Sequence, residues 1–281
     1  MMLSPSLLSV SGPQGIRTRC AEARAVVRAN DPVNGEYRLL TLDAPAEVLG
    51  CRPGQFFQLL CPEPEHEHPF LRRPMSIYGY DAEARQLQFL YKVAGAGTRG
   101  LATLRPGDGL NVLGPLGQGF SMPQHWQNLL LVARGVGLAT LAPLARMAQQ
   151  EGRRLTAICS ARRPELAMSV ELFRGYGAEV IVVHDEDGSS TPDALRGLIE
   201  ARIAAGQVDA VYTCGSARLL RLLQELGARH GIPGEIAMEQ QMACGLGMCQ
   251  ACVRPFRQGA EIVQRRVCRD GPVFPISEAI A

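Results

Sequence analysis

Between about residue 20 and residue 122, apolar positions fall in short alternating or continuous runs: AEARAVVRA, EYRLLTL, GQFFQLLC, RPMSIYGY, QLQFLYKV and GLNVLGP. Turn-forming groups separate them, among them Asn30-Asp31-Pro32, Arg52-Pro53-Gly54 and Pro106-Gly107-Asp108-Gly109. Short strands at this spacing predict an antiparallel β-barrel. A brief helix is predicted from near Thr98 through Leu101 and Leu104. From about 125 to 238 the period changes. NLLLVA, LTAICS, EVIVVH, DAVYTC and EIAME read as apolar strands, and helical stretches lie between them near 139–150, 164–174, 192–205 and 216–229. Strands apolar on both faces, alternating with helices, predict a parallel sheet covered on both sides. The last 40 or so residues carry little regular periodicity. The pattern divides the chain into a flexible extension (1–19), a barrel domain (20–122), an α/β domain (123–233) and a C-terminal module (234–281).

Composition narrows the function. Hydrophobic residues make up 46% of the 281 and charged residues 20%, the balance of a globular protein able to bury a core. A net charge of +2 with a single Trp gives neither a nucleic-acid footprint nor a base-stacking surface. The opening MMLSPSLLSVSGPQG lacks the basic start and long apolar core of a secretory signal. The most apolar window, LLLVARGVGLATLAPLA, is broken by Arg134, Gly135, Gly137 and Pro143, so it reads as strand, loop and helix rather than a membrane span. The expected location is the cytoplasm, where nine cysteines suggest metal or ordinary thiols before disulfides.

Five of those cysteines are scattered, at 20, 51, 61, 159 and 214, and read as buried thiols. The other four are not scattered. Cys244, Cys249 and Cys252 stand in C-x4-C-x2-C order, and Cys268 follows after fifteen residues. This is the spacing of plant-type [2Fe–2S] ligation. Gly245 and Gly247 allow the loop positive φ and bring backbone N–H groups towards the sulfurs. Zinc is the alternative for soft thiolates, but structural zinc favours paired C-x2-C knuckles, and one such pair is present.

Two weaker pieces point to a flavin. In Leu71-Arg72-Arg73-Pro74-Met75-Ser76-Ile77, Arg73 could pair with a phosphate and Ser76 could hydrogen-bond a flavin ring. Gly95-Ala96-Gly97-Thr98 would let a pyrophosphate approach a helix N-terminus, with Tyr91 and Lys92 just before it. Taken singly, the first is also an ordinary edge strand and the second an ordinary turn. His66 and His68 lie in an acidic, proline-containing stretch that reads as an exposed loop.

Taken in order, RRPMSI, LYKVAGAGTRGL, LRPGDGLNVLGPLGQGF, LLLVARGVG and CGLGMCQAC…VCRDGPVF resemble the electron-transfer subunits of NAD-linked dihydroorotate dehydrogenases, within the ferredoxin-NADP reductase superfamily. The likeness runs from about residue 20 to the C-terminus. It implies FAD in the barrel, lined by Arg73, Pro74, Met75 and Ser76 and by Leu90, Tyr91 and Lys92, with Gly97 and Thr98 at the pyrophosphate. It implies the cluster on Cys244, Cys249, Cys252 and Cys268, and NAD near Gly135, Gly137 and Cys214. The implied partner is a catalytic, FMN-containing dihydroorotate dehydrogenase subunit of pyrimidine biosynthesis, in a heterotetramer of two such pairs. Two positions depart from the family pattern. Arg134 interrupts the glycine-rich loop, where it could block or contact a phosphate, and the late Cys-Gly-Pro motif stands as Cys214-Gly215-Ser216. Both bear on nucleotide binding and on NAD against NADP.

A nicotinamide exchanges hydride, an iron–sulfur cluster single electrons, and a flavin both, which places FAD between them. No side chain is required as a general base, so no catalytic residue is assigned. Two alternatives stay open: a reductase subunit of another oxidoreductase complex, and a redox-sensing module without nucleotide turnover.

Overall fold

Alternation along the N-terminal strands decides where the first core forms. In a computed structural model describing residues 8–11, 17–64 and 66–281, Phe57 and Leu59 of one strand, Leu40 and Leu42 of another, and Leu87 and Phe89 of a third meet on one face. Phe57 and Phe89 pack edge to face with ring centroids 5.7 Å apart. The strands are β1 (Leu8–Ser11), β2 (Arg17–Pro32), β3 (Tyr37–Asp43), β4 (Phe56–Leu59), β5 (Arg73–Ser76), β6 (Gly79–Asp81), β7 (Gln86–Lys92) and, after helix α1 (Ala96–Thr103), β8 (Gly109–Leu116). Their order is β5-β4-β8-β2-β3-β7-β6, and the pairings are antiparallel. Among the described residues, β5 and β6 end this ladder without pairing to each other. The expected barrel is therefore an open half-barrel. Helix α1 is held by buried Asn30, whose side-chain N–H groups donate to the carbonyls of Leu101 and Leu104 at 2.8 and 3.2 Å.

The expected flexible extension is corrected in part. Leu8–Ser11 forms β1, pairing antiparallel with the first four residues of the long β2, which itself starts at Arg17. The rest of the extension, 1–7 and 12–16, lies outside the described residues.

The second region carries β9 (Asn128–Arg134), α2 (Gly137–Gln150), β10 (Arg154–Ala161), α3 (Val170–Gly175), β11 (Glu179–His184), α4 (Pro192–Ala204), β12 (Ala210–Cys214), α5 (Ala217–His230) and β13 (Gly234–Ala237). The expected helix at 164–174 is not continuous. Pro164–Leu166 makes a short 3-10 turn, and Ser169 at φ 61° breaks the chain before α3. The remaining residues form β14 (Val253–Gln258), β15 (Glu261–Arg266), the one-turn α6 (Val267–Asp270) and β16 (Val273–Pro275). The sheet order β11-β10-β9-β12-β13-β16 is parallel except for its edge, where β16 runs antiparallel to β13.

Two compact units result. The first joins the described residues up to 118 with 240–253 and 266–271, and the second joins 119–239 with 254–265 and 272–281. The C-terminal residues are thus divided between the two units. The cysteine segments belong with the half-barrel.

Candidate functional site

Three residues with positive φ, Gly245 (71°), Gly247 (80°) and Gln250 (58°), curl the backbone between Cys244 and Cys252. The curl turns amide groups inward. Leu246 and Cys249 donate backbone N–H to Cys244 Sγ at 3.3 and 3.5 Å, and Cys268 donates to Cys252 Sγ at 3.4 Å. These donors offset the partial desolvation of Cys244, which alone would raise its pKa, and bring it down to about 7. Cys268 goes the other way, pushed up to about 12 by burial and then by its hydrogen bond with Cys252.

Cys252 and Cys268 are buried, Cys244 is half-buried and Cys249 is exposed. Among the described residues no three cysteine, histidine or acidic side chains converge as they would on one metal ion. Four thiols, two of them accepting backbone N–H groups and none in a disulfide, fit a thiolate-held metal centre, and their C-x4-C-x2-C order fits a two-iron cluster better than the paired knuckles of structural zinc. A shallow pocket lined by Cys20, Gly117, Gly245, Leu246, Cys268 and Arg269 leaves space beside them.

Second contacts hold this loop, and sequence reasoning missed them. Arg266 pairs with Asp270 at 3.0 Å and donates to the Gly247 carbonyl at 3.3 Å. Gly247 needs its missing Cβ, which would fall 2.7 Å from Arg269 Cδ. From the half-barrel, Gln58 Nε2 approaches the Ala243 carbonyl at 3.5 Å. The available signals were an Arg and Asp four residues apart around Cys268, and one Gln inside the apolar run GQFFQLLC.

The flavin candidates lie on the same unit. Arg73 and Gly97 come together: a Cβ on Gly97 would fall 2.7 Å from Arg73 Nε, so glycine admits the arginine beside the start of α1. Thr98 Oγ1 accepts from the backbone N–H groups of Ala94 and Gly95 at 2.9 and 3.0 Å, shaping that turn. The first turn of α1 presents amides without intrahelical acceptors, as an anion requires. Pro74 and Ser76 are half-buried on β5, whereas Met75 packs against the half-barrel core. Leu90 and Tyr91 are buried, and the Tyr91 hydroxyl donates to Asn30 Oδ1 at 2.9 Å. Lys92 pairs with Glu36 at 2.7 Å. The side chain of Tyr91 thus serves the core, and among these three Lys92 is the most open.

In the second unit, the turn after β9 takes Gly135 at φ 56°. A Cβ on Gly137 would fall 2.8 Å from the Cys214 carbonyl, so the two nucleotide candidates pack closely. Arg134 does not fill the turn. Its guanidinium crosses the end of β10, donating to Ser160 Oγ at 3.1 Å and to both Asp185 oxygens at 3.0 and 2.6 Å. Cys214 is 1% exposed and is pushed up to about 12 by burial, then by Glu239, so it is a packed thiol rather than a nucleophile. Glu239 itself lies beside Gly215 with its pKa raised by desolvation, although solvent reaches it.

Residues 239–280 match the iron–sulfur cluster binding domain of dihydroorotate dehydrogenase B. The chain is 35% identical to the dihydroorotate dehydrogenase B (NAD(+)) electron transfer subunit of Caldanaerobacter subterraneus subsp. tengcongensis, over 81% of this chain and 87% of that one. It is 34% identical to the subunit of the same name from Shouchella clausii, over 91% and 96%. Among solved structures it resembles an NADH-dependent reduced ferredoxin-NADP oxidoreductase studied for flavin-based electron bifurcation, at TM-score 0.75 and 26% identity over 91% of this chain and 89% of that one. The ferredoxin-NADP+ reductase of Plasmodium falciparum shares the fold at TM-score 0.58 and 12% identity, over 78% and 95%.

Proposed function

The chain belongs to the electron-transfer subunits of NAD-dependent dihydroorotate dehydrogenase B, and from that premise we propose that it carries electrons from an FMN-containing, dihydroorotate-oxidising subunit to NAD in pyrimidine biosynthesis. It is a redox subunit of ferredoxin-NADP reductase-like fold with an iron–sulfur binding segment. Its cofactors are a [2Fe–2S] cluster, FAD and NAD, which together convert single electrons into hydride.

The protein's own residues bind and orient. Cys244, Cys249, Cys252 and Cys268 would ligate the cluster, with the amides of Leu246 and Cys249 compensating negative charge on sulfur. Arg73, Pro74, Met75 and Ser76, with Leu90, Tyr91 and Lys92, would line the FAD, Tyr91 through its backbone. Gly97 and Thr98 would receive the pyrophosphate at the start of α1. Gly135, Gly137 and Cys214 would shape the nucleotide turn, Cys214 by packing. We assign the assembly as two of each subunit and the location as cytoplasmic. In support of the location, among the described residues no helix is long and apolar enough to cross a membrane.

The observation that carries this reading is the amide-lined cysteine loop seated on the same unit as the flavin strand. The test is an absorption spectrum with iron, sulfide and flavin analysis of the anaerobically purified chain. Iron and sulfide in the ratio of a [2Fe–2S] cluster, together with FAD, are expected, and NADH should bleach the flavin. A colourless, zinc-containing preparation would overturn it. The likeness to the ferredoxin-linked oxidoreductase favours one second reading, the same cofactors serving another complex. Co-purification separates the two, because a dihydroorotate-oxidising subunit should accompany this chain.

A further inference from the structure

Strand β4 reads Phe-Phe-Gln-Leu and all four residues are buried. Alternation sends Phe57 and Leu59 into the half-barrel core, leaving Gln58 on the opposite face. Gln58 is 0% exposed, an amide where an apolar side chain would fill the space at lower desolvation cost. Its register partner on β5 is Pro74, and Phe56 stands opposite Ser76. Residues directly opposite in an antiparallel pair share a face. One sheet face therefore carries Pro74, Ser76 and Gln58 together.

The cysteine loop covers Gln58 on that face. Its Nε2 lies 3.5 Å from the Ala243 carbonyl, one residue before Cys244. One residue after Cys244, a Cβ on Gly245 would fall 2.8 Å from both Cγ and Nε2 of Gln58, so the glycine backbone rests on the amide. The Gln58 backbone carbonyl is also engaged, accepting from Arg72 at 3.3 Å. Its side-chain oxygen Oε1 is buried and accepts no hydrogen bond among the described residues. An unmet buried acceptor of this kind is destabilising, because the water it gave up is not replaced. Stability alone does not explain a side chain that desolvates an amide and leaves half of it unpaired.

We propose that Gln58 is a positioning residue that ties the flavin strand to the cluster loop and tunes the cluster through Cys244. The proposal rests on the electron-transfer reading above. The amide fixes the residues on both sides of Cys244, and so the direction from which that sulfur and its backbone donors meet the iron. Its N–H is aimed at the Ala243 carbonyl, so it acts on the sulfur through the peptides it holds. Loosening them weakens the backbone donors that stabilise the more negative, reduced cluster and makes reduction harder, and a carboxylate in its place adds negative charge and makes reduction harder still.

The test uses the anaerobic holoprotein of wild type, Gln58→Met and Gln58→Glu. Each is measured for iron, sulfide and FAD content, thermal midpoint, the g-values of the reduced cluster by electron paramagnetic resonance, and the cluster midpoint potential by redox titration. Gln58→Met keeps side-chain length and loses both polar groups. It should retain FAD and melting temperature, shift the g-values, move the midpoint to a more negative potential and slow cluster reduction by NADH several-fold. Loss of the cluster alone, with FAD and melting temperature kept, equally supports positioning. Gln58→Glu should move the midpoint further in the same direction, and it carries the test should the methionine variant not fold. Wild-type g-values and midpoint in a fully loaded variant would overturn the proposal and leave Gln58 as packing. Iron and sulfide missing from the wild type would instead sink the electron-transfer reading, so the two failures are distinguishable.

Discussion

Cys244 and Cys214 are both thiols next to glycine, one in the loop of the half-barrel unit and one at the end of a strand in the parallel sheet. The backbone treats them oppositely. Around Cys244 the positive-φ turns aim two amides at sulfur, which lowers its pKa to about 7 against the pull of desolvation. Cys214 sits 1% exposed on β12, where desolvation and the nearby Glu239 push it up to about 12. Cys51 and Cys159 are likewise raised to about 12, and Cys61 to about 11, in each case chiefly by burial. A loop can turn N–H groups towards a sulfur, as around Cys244, whereas β12 spends them on its neighbours; Cys268, on the one-turn α6, is raised by burial to about 12 although it belongs to the proposed ligand set.

Removing a ligand is the strongest challenge to this contrast. Cys249→Ala should abolish the paramagnetic signal of the reduced cluster and lower the iron content, while FAD stays bound. Cys214→Ala should leave both iron and FAD in place. Equal iron in the two variants would erase the distinction drawn here.

Thiol accessibility sharpens the same comparison without mutation. In the chain stripped of iron by a chelator, an alkylating reagent at neutral pH should modify exposed Cys249 and half-buried Cys244 well before buried Cys159 and Cys214. Mass spectrometry of the peptides would read the order. Labelling of Cys214 at the rate of Cys249 in folded protein would contradict its packing.

The smallest expected effect concerns how the parallel sheet holds its own turn. Asp185 is held at about 2, first by the hydrogen bonds from Arg134 and then by Ser190. Its ordinary value is near 3.8. A depressed carboxyl contributes stability above the unfolded-state pKa and loses it as pH falls towards the folded value. Asp185→Asn should therefore cost stability at neutral pH, with the deficit shrinking between about pH 4 and pH 2. Asp185 is 46% exposed and the pair is screened by solvent, so the deficit should be about 1 kcal/mol or less. Denaturant melts of both proteins across that range check it, and a deficit that grows on acidification would refute the assignment.

Several features were legible in the residues because they depend on local spacing. The alternating runs marked the strands of the half-barrel, and C-x4-C-x2-C marked the cluster loop. Others depended on partners distant in the chain. Tyr91 reads as a flavin contact from its place in LYKVAG, yet it turns to Asn30, 61 residues away. Arg134 reads as an obstacle in a glycine-rich turn, yet Asp185 on the far side of β10 draws it aside. The edge strand β16 carries only three residues, Val273–Pro275, too few to show a period, and pairs because β13 offers an open edge.

Division of the C-terminal residues shows the boundary most clearly. The sequence by itself determined the spacing that proposes four cysteines as a ligand set, because sulfur chemistry and loop glycines act within a few residues of one another. It also determined the change from strand alternation to strand–helix alternation, because each period is a property of the local backbone. Only the tertiary structure decided that the cysteine segments pack with the half-barrel while β16 completes the parallel sheet. It also placed Gln58 against Ala243, 185 residues away. Such contacts depend on which faces remain unburied once the sheets have formed, and no local period records that.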